Sequence, residues 1–201
     1  MTKAADTIAT QIARCVQHEL VDDVRHVIGL APLVRPRTPS GQPMRVRVSA
    51  AGDLGWVGDG EYRYAERQAG GVAWPRMPER WAQIATAVAG SHPWDSAIIN
   101  WYDADASLGW HRDQSEHDTS LPIVTISLGD SCSWAVRAHA EAPVSRCRLE
   151  TGHVTLLAGA TRRYLHTVER IIPAPLFSPL QDRGRLSITI RVAGVPRTVP
   201  G

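Results

Sequence analysis

The chain has 201 residues, 43% of them hydrophobic and 21% charged, enough for one domain with a sizeable core and far from collagen-like, disordered or disulfide-scaffold compositions. Its longest apolar runs, such as that from Ile123 to Leu128, fall well short of the roughly 18 residues of a membrane span. Lys3, Asp6, Arg14 and Glu19 interrupt any signal-peptide core, so a cytoplasmic protein without membrane association is expected. A net charge of +2 does not by itself point to a polyanionic partner. Lysine occurs once, at Lys3; every other cation is arginine, suited to bidentate pairing with carboxylate or phosphate, although a GC-rich genome produces the same bias. Cys15, Cys132 and Cys147 are odd in number and form no Cys-X-X-Cys pair, so they read as reduced, mostly packed thiols.

Along the chain, Ile8, Ile12, Val16, Leu20, Val24 and Val27 recur at helical steps, predicting an amphipathic helix over 5–28. The Pro-rich stretch 35–43 breaks regular structure, and Met44, Val46 and Val48 alternate with polar neighbours as a half-exposed strand. Residues 51–73, rich in Gly and aromatics, read as a mobile cover or short hairpin. A second helix follows at 78–89, bracketed by Pro78 and Gly90. Short β-rich runs at 97–102, 122–128, 133–137, 147–150, 153–157 and 185–192 complete a sandwich or barrel with the helices packed outside.

His111 and Asp113 are two residues apart, which in extended backbone aims both side chains the same way. With His166 they make a two-histidine, one-carboxylate set that suits non-haem Fe(II) with open positions; three-ligand zinc is the alternative. The final run, Arg185 to Arg191, alternates strictly. Arg185, Ser187, Thr189 and Arg191 share one face, either the wet outer face of an edge strand or, with Asn100 and Tyr102 nearby, a receptor for a small dianion.

These elements together resemble the AlkB family of Fe(II)- and 2-oxoglutarate-dependent dioxygenases. The resemblance rests on Asn100-Trp101-Tyr102, His111 and Asp113, the run Pro122 to Gly129, His166 and Arg185 to Arg191, with Leu54-Gly55-Trp56 and Trp74 to Pro78 upstream in the same order; it covers about residues 38 to 194. It implies a mainly β, α+β fold, a double-stranded β-helix (jelly roll). The expected layout is one 1–201 dioxygenase domain, with an N-terminal helix at 5–28 packed outside, a substrate-recognition lid at 38–77 and a β-helix core at 95–194. Fe(II) would be held by His111, Asp113 and His166, and 2-oxoglutarate by Asn100, Trp101, Tyr102, Arg185, Ser187 and Arg191, with Arg185 on the distal carboxylate and Arg191 nearer the metal.

The implied activity is O2-dependent demethylation of 1-methyladenine or 3-methylcytosine in DNA or RNA, releasing formaldehyde, succinate and CO2. Trp56 would stack on a flipped or single-stranded base against the His111 ring, with Tyr62, Tyr64 and Ser115 as further substrate contacts and Arg45, Arg47 and Arg76 toward the backbone. Two positions depart from the family pattern. Ser115 stands where an aspartate is usual, and Ser187 where an asparagine is usual. A protein or small-molecule substrate for the same chemistry, or a non-catalytic metal- or nucleic-acid-binding module, are the competing readings, and a monomer is expected.

Overall fold

The computed structural model describes residues 3–174 and 177–194; the remaining residues of the expected 1–201 domain lie outside this description. In chain order the elements are β1 (Ile8–Gln11), α1 (Arg14–Leu30), β2 (Arg47–Gly52), β3 (Gly55–Gly58), β4 (Tyr62–Ala65), α2 (Glu79–Ala89) and β5 (Ser96–Tyr102). Then follow β6 (Leu108–His111), β7 (Ile123–Gly129), β8 (Ser131–Arg137), β9 (Ser145–Leu149), β10 (His153–Leu157), β11 (Leu165–Ile172) and β12 (Arg185–Arg191). The strands form an antiparallel six-stranded sheet, ordered β1-β10-β7-β12-β5-β2, a four-stranded sheet, β6-β11-β8-β9, and the β3-β4 hairpin.

Two apolar layers follow from the strand alternation. Ile99, Ile126, Leu186, Ile188 and Ile190 leave one face of the large sheet to pack against Leu20, Val24 and Val27 of α1 and Trp81 and Ala85 of α2. Its other face, through Val48, Ile98 and Leu157, meets Trp134, Val136 and Val168 of the small sheet. This is a jelly roll with both helices on its outer face. No described helix is long and apolar enough to cross a membrane.

The structure corrects several boundaries. The α-helix begins at Arg14, not near residue 5, where Ala4–Thr7 form only a short 3-10 turn, because Ile8–Gln11 pair with β10 and the Ile12 N–H donates to the Gly152 carbonyl (2.8 Å). The open edge of β10 offers backbone partners, and the β-branched Ile8 and Thr10 accept extended structure although Ile8 also fits a helical repeat. The strand expected around Met44 starts at Arg47 and has four consecutive buried residues, since its sheet is covered on both sides. It lies within the span assigned to the lid, yet it forms an edge of the large sheet; β1 forms the other edge. The final strand is not an edge: β12 lies between β7 and β5 and is buried along its whole length. Of the cysteines, Cys132 is buried, Cys147 is half-buried and Cys15 is exposed.

Candidate active site

A cavity of about 450 Å³ opens between the two sheets. The small sheet supplies two histidines at facing positions, His111 on β6 opposite His166 on β11, with ring centroids 4.2 Å apart. Asp113 follows two residues beyond the end of β6, and its Oδ2 lies 3.6 Å from His166 Nε2. One potential ligand atom from each of the three residues falls within 4.8 Å of the others.

The histidines are oriented alike. His111 Nδ1 lies 2.9 Å from the Gly109 carbonyl and His166 Nδ1 3.2 Å from the Tyr164 carbonyl. A carbonyl only accepts, so each Nδ1 carries the proton and each Nε2 keeps its lone pair for a metal. Burial, helped by the neighbouring His111 and opposed by Asp113, pushes the His166 pKa down to about 4, so the ring is neutral at neutral pH. Burial raises the Asp113 pKa, but Arg191, His166, His111 and Arg162 outweigh it and hold the carboxyl far below its ordinary range. Two imidazoles with their Nε2 atoms free and one carboxylate on a shared side fit a divalent metal with open positions.

Beyond the triad, the polar face of β12 forms the cavity floor, with Arg185, Ser187, Thr189 and Arg191 all lining it. Register sets Tyr102 opposite Arg185 and Asn100 opposite Ser187; Asn100 Nδ2 approaches Ser187 Oγ at 3.4 Å. Burial raises the Tyr102 pKa, which keeps its hydroxyl a donor. Arg185 is 2% exposed and its Nη2 donates to Ser127 Oγ at 2.9 Å, while its buried Nε and Nη1 have no partner. It also lacks a carboxylate partner among the described residues. A buried guanidinium with two idle donors facing a cavity calls for an anion from outside.

Arg191 is held differently. Its Nη1 lies 3.3 Å from Asp113 Oδ1 and contacts Glu116 Oε1. Glu116 is buried, accepts Arg162 Nη2 at 3.1 Å and the Tyr64 hydroxyl at 3.0 Å, and its pKa is lowered. Burial opposes that lowering, and the charge of Arg191 overcomes it. Arg162 in turn donates to the carbonyls of Asp113 (2.6 Å) and Leu121 (2.7 Å), fixing the loop that carries the metal carboxylate. Neither Glu116 nor Arg162 is a candidate from sequence. The only trace of Glu116 there is its place three residues beyond Asp113, and nothing separates the buried Arg162 from its exposed neighbour Arg163.

Trp56, Tyr62 and Ser115 line the same cavity, with the Trp56 and Tyr62 rings 5.2 Å apart. The hairpin that carries the two rings is tightly seated. A Cβ at Gly55 would fall 2.1 Å from the Trp74 ring, whose Nε1 donates to the Ala65 carbonyl at 2.8 Å. Two expected contacts differ. Trp101 faces away from the cavity because β5 alternates: it packs with the helix-side core and donates to Asp103 at 2.9 Å. Tyr64 spends its hydroxyl on Glu116 instead of facing a substrate. Among the arginines expected at a backbone, Arg47 is paired with Asp103 at 2.6 Å, Arg45 approaches the Asp105 carbonyl and Arg76 is exposed.

A jelly roll with a His-X-Asp…His triad at its mouth and, on its floor, a buried arginine with two idle donors defines an Fe(II)- and 2-oxoglutarate-dependent oxygenase, and the family model for the 2OG-Fe(II) oxygenase superfamily matches residues 8–191. Within that superfamily the chain belongs to the AlkB family of dioxygenases. The alpha-ketoglutarate-dependent dioxygenase AlkB homolog of Caulobacter vibrioides (strain NA1000 / CB15N) is 35% identical over 181 residues, covering 88% of this chain and 82% of that protein. The tRNA demethylase abh1 of Schizosaccharomyces pombe is 36% identical over 81 residues, 39% of this chain and 26% of that protein. Among solved structures, that of OsALKBH1 superposes with a TM-score of 0.79 at 22% identity, covering 92% of this chain and 94% of that one.

Proposed function

We propose that this enzyme demethylates N-alkylated bases, of the 1-methyladenine and 3-methylcytosine type, in DNA or RNA. The observation that carries the reading is a single cavity that unites the metal triad, an anion-seeking floor and an aromatic wall from the β3-β4 hairpin. Bound Fe(II) and 2-oxoglutarate, with dioxygen, supply the oxidant that hydroxylates an N-methyl group; the product then separates into formaldehyde and the repaired base.

The chain's own residues bind, orient and exclude. His111, Asp113 and His166 would hold the metal through two Nε2 atoms and a carboxylate oxygen. Arg185 would take the distal carboxylate of 2-oxoglutarate on its idle Nε and Nη1, with the Tyr102 hydroxyl beside it, while Arg191, tied to Asp113, marks the end nearer the metal. Ser187 sits between them, in contact with Asn100. Trp56 and Tyr62 would grip a flipped or unpaired base by stacking, which brings its methyl group to the metal end of the cavity. Ser115, exposed at the cavity, offers this base a neutral hydroxyl.

The test is loss of the methyl mark from matched DNA and RNA oligonucleotides bearing 3-methylcytosine or 1-methyladenine, using enzyme loaded anaerobically with Fe(II), and with His111→Ala alongside. Demethylation by wild type and none by the variant supports the reading. Succinate formation without loss of methyl from any oligonucleotide would overturn the nucleic-acid assignment and leave a protein or small-molecule substrate.

A further inference from the structure

Trp110 is the one exposed tryptophan among the described residues, at 36%, while Trp81 and Trp134 are nearly sealed. It immediately precedes the metal ligand His111, and its position is set by an irregularity. Val168 faces Leu108 and His166 faces His111, so three steps along β6 match two along β11. Such a bulge releases a side chain from strict alternation, and here the indole lines the rim of the cavity beside Arg112.

The guanidinium of Arg137, on β8, lies over the Trp110 ring at 4.3 Å from its centroid. Arg137 Nη1 is anchored to the Ala140 carbonyl at 2.6 Å, and Arg112 Nη2 approaches the Ala138 carbonyl at 3.5 Å. Neither arginine has a carboxylate partner among the described residues. Glu141, the acid in that same connection, is turned to His139 at 3.3 Å, with Arg137 among the charges acting on it. The rim therefore presents an open aromatic surface with two cations beside it, built on the small sheet and separate from the Trp56–Tyr62 pair of the hairpin. An aromatic face accepts any base, and guanidiniums accept phosphate oxygens.

We infer that Trp110, backed by Arg137 and flanked by Arg112, is a platform for the nucleotide next to the target base in a single strand. The flanking base stacks on the indole surface that Arg137 leaves uncovered, and the intervening phosphate meets the two guanidiniums. This inference rests on the nucleic-acid reading above, and it makes a strand a better substrate than an isolated nucleotide.

The experiment compares KM for a 3-methylcytosine mononucleotide with KM for a pentanucleotide carrying that base at its centre, and measures pentanucleotide binding by fluorescence anisotropy. Trp110→Ala is expected to shrink the preference for the pentanucleotide about tenfold, and Trp110→Phe to restore most of it. Arg137→Gln is expected to reduce the same preference and to flatten the salt dependence of binding. An unchanged preference in both Trp110→Ala and Arg137→Gln overturns the inference, as does a parallel rise of both KM values in Trp110→Ala, which marks a structural support of His111. If wild type demethylates neither substrate, the demethylase reading fails separately and binding decides: weaker pentanucleotide binding by Trp110→Ala upholds the platform, and equal binding removes it.

Discussion

Arg185 and Glu116 are both buried ionised groups, and their partners give them opposite energetic roles. Arg185 is a sealed cation with one neutral acceptor, a cost to the apoprotein that only a bound anion offsets. Arg185→Met is therefore expected to raise the thermal midpoint of the apoprotein while raising KM for 2-oxoglutarate about 30-fold or more, which calorimetry and steady-state kinetics would check together. Glu116, by contrast, neutralises two buried guanidiniums. Glu116→Gln leaves Arg162 without a carboxylate and Arg191 with Asp113 alone, and is expected to cost about 3–5 kcal/mol in chemical denaturation. The sign with pH follows from its lowered pKa: the contribution is full above the ordinary value of 4.5 and is lost as pH falls through the lowered value. Wild-type stability should thus fall more steeply in acid than that of Glu116→Gln, as read from denaturation midpoints across pH 3 to 6.

At the level of elements, the hairpin owes its seat to a missing side chain. Gly55→Ala drives a Cβ into the Trp74 ring, so the variant is expected to lift β3 and β4, raise KM for a methylated strand and expose the hairpin to proteolysis, with 2-oxoglutarate binding retained. A hairpin cut no faster than wild type, with an unchanged KM, would contradict that seating. Elements also show what is legible in the sequence. The run from Arg185 to Arg191 can be read because its period of two is strict and its polar face is chemically distinctive; its place at the sheet centre cannot, because a half-polar strand at a cavity looks like an edge strand. The His-X-Asp pair and His166 are legible from ligand chemistry, whereas the facing register of His111 and His166 requires the fold. Ile8 fits a helical repeat equally well, and only the edge of β10, with which it pairs, decides for a strand. Trp101 is grouped by sequence with its neighbours Asn100 and Tyr102, although adjacent residues of a strand point to opposite faces.

Across the whole molecule, the cavity joins two sheets that otherwise meet through apolar contacts, so its contents should hold them together. Ligands that bind only the folded state add stability, about 2.7 kcal/mol at a concentration one hundred times Kd. Mn(II), as a redox-silent substitute, and 2-oxoglutarate are expected to raise the thermal midpoint cooperatively in wild type, with the metal share absent in His166→Ala. The helices pack on the far side of the large sheet and line none of this cavity. Whether one cavity holds metal, co-substrate and methylated base together is tested most directly by the stoichiometry of formaldehyde to succinate with and without a 3-methylcytosine oligonucleotide. The expected result is a ratio near one with the methylated strand present, and slow succinate formation without formaldehyde when it is absent; a succinate rate indifferent to the strand, with no formaldehyde, would contradict it.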